Sequence, residues 1–529
     1  MPPSMTPDQR RTLAATGLGL FMIFLDALIV NVGLPAIQAD FKVGEAGLQW
    51  VVAAYSLGMA VFIMTSATLA DLHGRRKVYV WGVVVFTLAS IACGFAPSLD
   101  ALNVSRGIQG AAAATVNVTS LALVSAAFPD PKQKARAIGI WAAIAGVSNA
   151  IGPTLGGFLV EAVGWRAIFW VNGPVGLLVI VLTLLYVTES RDERPRTLDL
   201  PGQALFMLGV GAFAYAVIEG PHAGWTSPGL LACFAVAVAA LVAFIHVERR
   251  ARDPMMDLSL FRDGEYSVAI ATVCIVLFTL YGMLLMTTQY LQNVRGFTPV
   301  QTGLLLLPFS AAMLVGAPLA GRLVGRYGTV PPVRAGLVVM IGGLCTLMLG
   351  MAGHPAIVAL ALATTGFGFA LCLTPITTLA MTSVEPQRAG MASGIMSAQR
   401  AIGSTLGFAV MGSILSAWLV GTLDHALAPV VPSPTERAAV ARTIIADATP
   451  RVHVAEIAPA KPIQHPDAAR ATAIRAAAEH DFVNGIRVAL SLAIVLLALV
   501  FVLGLYAFPR GPDAALVHAA REAATEVEP

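Results

Sequence analysis

The segment Phe21-Met22-Ile23-Phe24-Leu25-Asp26-Ala27-Leu28-Ile29-Val30-Asn31 decides how the rest of the chain is read. It is the middle of an apolar run from Thr12 to Leu34. A helix that crosses the hydrocarbon core needs about 20 such residues, so the run predicts a transmembrane helix with one carboxyl group at its centre. It is too long for the apolar part of a cleavable signal and more spans follow it, so it reads as a first helix and signal anchor. A charged aspartate at the bilayer centre costs about 2.5–3.5 kcal/mol or more, which a cavity or a partner must offset. Burial disfavours the ionised form, so a carboxyl group placed there can take and release protons. A purely structural ion-pair or hydrogen-bond role is the alternative.

Working outward, similar runs recur along nearly the whole chain. Fourteen spans are expected, at 12–34, 46–70, 78–96, 102–127, 137–160, 167–187, 202–219, 228–247, 266–289, 300–324, 333–352, 356–381, 391–419 and 486–508. Composition agrees: 57% of the residues are hydrophobic and 12% charged, against about 25% charged in soluble domains. The charges lie between the runs and form no single basic face, so no nucleic-acid partner is expected. No nucleotide-binding motif, metal-ligand cluster or nucleophile–base pair is found, so neither ATP drive nor an enzyme is expected, and no cofactor is implied. The five cysteines all fall inside apolar runs without ligand-like spacing and read as packing residues.

Loop charges orient the spans, because cytoplasmic loops are enriched in Lys and Arg. With the N-terminus inside, cytoplasmic segments carry 21 basic residues, and the short outer loops carry only Lys42, Arg166 and Arg295. One missed or invented helix would invert the bias downstream. Both termini are therefore expected in the cytoplasm, and the chain in the plasma (inner) membrane as a multi-pass protein. Thr422 to Asn484 forms a long outer segment with six basic residues, and long segments escape the rule. Ser433-Pro434-Thr435-Glu436 is a helix-start signal within it. The segment reads as a solvated spacer, with a lid or partner contact as the alternative.

An internal repeat appears. Ala150-Ile151-Gly152-Pro153-Thr154-Leu155-Gly156 matches Ala401-Ile402-Gly403-Ser404-Thr405-Leu406-Gly407 in six of seven residues at an offset of 251, and Leu69-Ala70-Asp71 resembles Leu319-Ala320-Gly321 at 250. Both offsets equal eight helices, so the copies share one topology, as in transporters built from parallel repeats. Six helices per repeat plus two inserted ones give that offset. The expected domains are 1–190, a six-helix bundle; 191–262, a linker with two extra helices; and 263–529, a second bundle with outer loop 422–485 and a cytoplasmic tail.

Other polar features refine the picture. Arg106 lies in the fourth span, within Asn103-Val104-Ser105-Arg106-Gly107-Ile108-Gln109-Gly110. Arginine stays charged, so an approach to Asp26 would set up a pair that a proton can break; snorkelling to an interface is the alternative. Arg400 in the thirteenth span either faces a cavity or packs. Glu219 ends the seventh span and reads as an interface residue. The position matching Asp26 in the second copy falls near Val276 or Leu277, both apolar. Ala67-Thr68-Leu69-Ala70-Asp71-Leu72-His73-Gly74-Arg75-Arg76-Lys77 closes the second span with an acid before three bases, a latch between helix ends or a topology signal alone. Gly146, Gly152, Pro153, Gly156 and Gly157 make the fifth span dense in small residues, which lets helices approach closely.

Together these residues resemble the major facilitator superfamily, in particular its fourteen-helix drug:proton antiporters. The resemblance covers essentially the whole chain. Leu25-Asp26-x-x-Ile29-Val30-Asn31-Val32-x-Leu34-Pro35 is similar to the motif of the first helix, whose aspartate the resemblance implies in proton coupling. Arg106 with Gln109-Gly110 is similar to the fourth-helix motif, whose arginine it implies in proton transfer. Asp71, Gly74, Arg75 and Arg76 resemble the gating loop, with departures at Ala67 and His73. The fifth-span run resembles the antiporter motif associated with export, although the glycine expected before Gly152-Pro153 is shifted or absent. Trp165-Arg166-x-x-Phe169-x-x-Asn172-x-Pro174-x-Gly176, Asp199-Leu200-Pro201-Gly202, Tyr290-Leu291-Gln292-Asn293-Val294-x-Gly296 and Arg388-Ala389-Gly390-Met391-Ala392-Ser393-Gly394 resemble the fourteen-helix branch. Phe21 to Asn31 and Leu373-Thr374-Pro375-Ile376-Thr377-Thr378 resemble its mycobacterial spectinomycin–tetracycline efflux pumps.

The resulting expectation is an all-α protein of this superfamily's fold that exports small amphipathic compounds, such as antibiotics, against inward proton flow. It would act as a monomer by alternating access between the two bundles. Asn31, Gln109, Asn117, Tyr281, Gln289, Gln399 and Arg400 are expected around a midplane cavity from their span positions. Abundant Met and Phe suit an adaptable apolar site, and a single central acid argues against dications. The rivals are a lipid or lipid-conjugate exporter of the same architecture, and a non-transporting receptor or assembly factor in which Asp26 is dispensable.

Overall fold

The computed structural model describes residues 5–191, 199–251, 254, 256, 258–351, 353–384, 389–447 and 468–508. Arg194, Arg196, Arg252, Arg388, Arg510 and Arg521, counted above for orientation, lie outside these residues, as does the middle of the outer segment. The chain forms α1 (Pro7–Phe41), α2 (Glu45–His73), α3 (Arg75–Gly94), α4 (Leu99–Ala127), α5 (Pro131–Ala162), α6 (Ala167–Trp170), α7 (Asn172–Tyr186) and α8 (Leu200–Ala223). There follow α9 (Pro228–Glu248), α10 (Gly264–Gln289), α11 (Pro299–Tyr327), α12 (Val330–Gly350), α13 (Pro355–Thr382), α14 (Ala389–Leu427), α15 (Pro434–Asp447) and α16 (Ala468–Ala507). In a bilayer no water satisfies backbone groups, so helices that bond internally are the solution.

Among the described residues, 13 helices are long and apolar enough to cross a membrane, α6 and α7 together making one of them. α5, a 32-residue helix at the place of the expected fifth span, is not among the 13. Helix starts carry a recurring signal, a capping side chain followed by proline. Thr6-Pro7 and Thr298-Pro299 each head a full capping box, and Asp130-Pro131 and His354-Pro355 repeat the arrangement with one cap bond. Large apolar side chains such as Leu349, Phe95 and Leu177 stand exposed on the outside, where a bilayer would cover them.

The repeat seen in the sequence returns as a repeated contact. α1 packs on α5, and α10 packs on α14. Gly152 and Gly156 of α5 face the carbonyls of Leu25 and Ile29 in α1, while Gly403 and Gly407 of α14 face those of Cys274 and Phe278 in α10. α2 and α4 meet where Gly110 abuts the Tyr55 carbonyl, and α11 and α13 meet where Gly366 abuts that of Phe309. A side chain at these glycines would push the helices apart. By these contacts Asp26 corresponds to Ile275, one or two residues earlier than expected, and Arg106 to Leu362.

The outer segment differs from the solvated-spacer reading. α14 continues to Leu427 and α16 begins at Ala468, with α15 between them. Leu423, Leu427, Val431, Val440, Ile444 and Ile474 form a buried cluster. Arg437–Asp424 and Arg470–Glu436 ion pairs at 2.9 and 3.0 Å brace it. Asp481 accepts from Trp418 Nε1 at 3.1 Å and from Thr422 Oγ1 at 2.9 Å. Ala-rich composition hid the helical spacing of these apolar residues.

Candidate functional site

Asp26 sits at the centre of a dry polar knot. Its side chain is 0% exposed and that of Arg106 is 1% exposed, and Arg106 Nη1 reaches Asp26 Oδ2 at 2.6 Å. The other carboxylate oxygen accepts from Gln109 Nε2 at 2.9 Å and from Asn172 Nδ2 at 2.8 Å. Asn172 also donates to Ser90 Oγ at 2.9 Å, and Ser90 donates to the Phe169 carbonyl at 2.9 Å. Arg106 donates further to Gln109 Oε1 at 2.7 Å and, through Nε, to the Val51 carbonyl at 3.1 Å. One carboxylate thus ties α1 to α4 and α7, and its arginine ties α4 to α2.

Local sequence explains the assembly. Arg106 and Gln109 are three residues apart on α4 and so share a face. The α2–α4 approach at Gly58 and Gly110 brings the Val51 carbonyl within reach. Ring faces complete the cage: the Arg106 guanidinium lies 4.2 Å from the Tyr55 ring centroid and 5.7 Å from that of Phe169. Cation–π attraction of this kind is worth roughly 2 kcal/mol when desolvated. Tyr55 is itself fixed by donating to the Ile23 carbonyl at 3.0 Å.

Arg106 also borders a cavity. Phe24 and Ala27 of α1, Tyr55, Ser56 and Met59 of α2, and Tyr281, Ser404 and Phe408 from α10 and α14 line it with Arg106. Tyr281 packs on Phe408 with ring centroids 5.4 Å apart. Tyr281, expected at a midplane cavity, lines this one. Gln109 does not line the cavity; it belongs to the Asp26 knot. Asn31 is buried and donates to the Ala27 and Leu28 carbonyls of its own helix at 3.4 and 3.3 Å. Gln289 is buried near the end of α10, and Asn117 and Gln399 are half-buried; none of the three lines the cavity. Sequence reasoning missed Asn172, Ser90, Tyr55 and Ser404. An amide inside the apolar sixth span was the available signal for Asn172.

The loop at Asp71 is a second built element. Gly74 has φ +101°, a left-handed conformation that favours glycine, and it lets the chain leave α2 and enter α3 at once. Arg75 bonds Asp71 Oδ1 at 3.0 Å, and Arg76 Nη2 bonds the Leu184 carbonyl at 2.6 Å. The Glu189 carboxylate accepts from the backbone N–H groups of Arg76 and Lys77 at 2.9 and 3.2 Å, a favourable place for an anion at the start of α3. These bonds stay within α2, α3 and α7 and the residues just after α7.

At the opposite end of the bundle, α5 and α11 touch. Gly157 faces the Pro299 carbonyl and Gly303 faces the Pro153 carbonyl, with Thr154 and Glu161 bonding Gly303 and Val300. Gly146 lies within α5, ahead of these contacts. Elsewhere α8 is fastened to α2 and α14: Gln203 Nε2 bonds the Val61 carbonyl at 2.6 Å, Trp50 Nε1 bonds Glu219 at 2.9 Å, and Ser413 bonds the Val217 carbonyl at 2.6 Å. Glu219, read as an interface residue, is thus an acceptor for α2. Among the described residues no group of three or more His, Cys, Asp or Glu could hold a metal ion.

A buried ion pair beside a cavity enclosed by helices of a repeated bundle describes a secondary transporter. The sequence profile of the Major Facilitator Superfamily matches residues 16–408, and the chain belongs to that superfamily as a multi-pass protein of the inner membrane. It is 59% identical over 506 residues to Multidrug resistance protein Stp of Mycobacterium tuberculosis, covering 96% of this chain and 93% of the relative. It is 43% identical over 509 residues to Drug efflux pump JefA of the same species, covering 96% and 100%. A solved bacterial homologue of the human lysosomal transporter Spinster, inward-facing and occupied, superposes with TM-score 0.67 at 18% identity over 95% of this chain and 97% of that one; it speaks for the fold alone.

Proposed function

We propose that this chain is a proton-coupled antiporter that exports small amphipathic compounds, antibiotics among them, as a monomer. The names of the two mycobacterial relatives support drug efflux. The observation that carries proton coupling is the Asp26–Arg106 pair at 2.6 Å, because Arg106 is at once the partner of a titratable acid and part of the cavity wall.

The mechanism follows from those two contacts. With Asp26 ionised, Arg106 is held by the carboxylate and the knot clamps α1, α4 and α7 together. A proton on Asp26 removes the countercharge and leaves a buried cation to find new partners. Breaking one side of a buried pair costs about 3–5 kcal/mol, enough to bias a two-state bundle. Arg106 then shifts toward the Tyr55 ring and the cavity, so proton and substrate are read by one side chain.

The bundle divides into helices of 1–190 and 263–529 around the cavity, with α8 and α9 inserted and fourteen spans in all. With both termini in the cytoplasm, the α5–α11 contact at Gly157 closes the outer side. Among the described residues the bonds of the Asp71 loop stay within its own half, and on this reading the cytoplasmic side is the open one. In the alternate state α5 and α11 part at Gly157 and Gly303, and the loop takes partners across the inner ends. The test is tetracycline uptake into inside-out proteoliposomes under an imposed pH gradient. Uptake that collapses with the gradient and with Asp26→Asn is expected; gradient-driven uptake that survives Asp26→Asn overturns the coupling role.

A further inference from the structure

The polar interior is not symmetric in charge. Asp26 and Arg106 cancel one another. Arg400, in α14, has no carboxylate within ion-pair distance among the described residues. Its Nη2 donates to Thr377 Oγ1 of α13 at 2.9 Å. Thr377 spends its own proton on the Leu373 carbonyl at 2.7 Å, so it holds the guanidinium as a neutral acceptor and leaves its charge uncancelled. Arg400 Nε is buried without a hydrogen-bond partner among the described residues.

Its place in the helix gives this meaning. Arg400, Ser404 and Phe408 are spaced four apart and share one face of α14. Ser404 and Phe408 line the cavity beside Arg106. Arg400 is not itself in the cavity's lining; it lies on the same face one turn beyond Ser404, roughly 12 Å along the helix from Phe408. The contact with Thr377 pins the head group inside the bundle, so it does not snorkel away to an interface. A guanidinium with free N–H groups presents a planar fork suited to a carboxylate, enolate or sulfonate.

We infer that Arg400 is the anion-recognising element of the substrate site, and that the preferred cargo is an amphipathic molecule with one acidic group, with simple lipophilic cations disfavoured. This rests on the export reading and narrows its substrate class. The acid group is held away from Asp26, so cargo charge and proton are bound at separate places on either side of the cavity. An apolar ring system on the same molecule would meet the Tyr281–Phe408 pair.

The test uses rhodamine B and its ethyl ester, which differ only in whether a carboxylate is free. Binding of each to the purified full-length protein in nanodiscs is followed by fluorescence polarisation. The wild type is expected to bind the free acid about tenfold more tightly, the scale of one charge-assisted hydrogen bond. Arg400→Gln is expected to bring the two within about twofold by weakening the acid alone, and Arg400→Lys to keep part of the preference, since charge persists without the fork. A wild type that shows no preference, or binds neither dye, overturns the site without any variant. So does a preference that persists in Arg400→Gln. Binding discrimination that depends on Arg400 without gradient-driven movement of the acid in proteoliposomes would leave the site standing and overturn the export reading instead.

Discussion

The α1–α5 pair and the α10–α14 pair are packed in the same way and do different chemistry. In both, two glycines on one helix press against two backbone carbonyls of the other, four residues apart. Beside that contact the first pair carries Asp26, bonded to three side chains. The second carries Ile275. Arg106, four residues before Gly110, is matched by Leu362, four before Gly366, and Leu362 is fully buried. Small-residue packing alone therefore preserves the architecture. The charged pair is an addition to one copy, and a buried ion pair contributes little net stability once its desolvation cost is counted. The second copy needs no such knot to fold, which points to a use beyond stability for the first.

The comparison breaks most sharply at Asp26. Asp26→Asn is expected to reduce gradient-driven transport to the level of empty liposomes, whereas Leu362→Met, a volume-conserving change costing under about 1.5 kcal/mol, leaves transport within a factor of about two. Transport assays side by side decide it; equal losses would mean that both copies carry the coupling. Next in size is Arg106→Gln, which leaves the Asp26 carboxylate without a countercharge. A stability loss of about 3–5 kcal/mol is expected, read as a lower thermal midpoint of the purified protein. Adding Asp26→Asn to it should recover most of that loss without restoring coupling. A double variant no more stable than Arg106→Gln would show that the two side chains do not act as a pair.

The contacts between α5 and α11 sharpen the comparison further. Gly157→Val places a side chain against the Pro299 carbonyl and is expected to hold those ends apart, lowering turnover by about tenfold, or 1.4 kcal/mol. Spin labels at Phe158 and Leu304 should report a longer mean distance, and an unchanged distance would refute the gate. The smallest effect is expected in the outer cap. Arg470→Ala removes a half-exposed pair with Glu436, and such pairs contribute about 0–1 kcal/mol, so transport should be unaltered and the thermal midpoint barely moved.

Much of this was legible because a bilayer imposes one strong pattern. Apolar runs marked the helices, though their ends ran longer: α1 continues to Phe41 and α16 starts at Ala468, since polar ends extend past the hydrocarbon core where hydropathy falls silent. Asp26 and Arg106 stood out as charges in the wrong solvent, and they meet. Asn172 and Ser90 did not stand out, because an amide or hydroxyl in a span is common and only the fold shows whether it faces a carboxylate. Gln109 carried a polar signal without a direction, and its three-residue spacing from Arg106 was the unused clue. The outer cap was misread because its apolar residues are spread through Ala-rich sequence on three helices.

The fastening of α8 to α2 and α14 has a consequence for traffic. Phe213, Val217 and Ile218 of α8 and Phe234 of α9 form one cluster with Trp50, Ala53 and Ala409, so these two helices wall off the seam between α2 and α14 from the surrounding lipid. α5 and α11 also pack on one another, with Gly157 and Gly303 facing the Pro299 and Pro153 carbonyls. Anything dissolved in the membrane therefore meets the α2–α14 seam already shuttered by two helices.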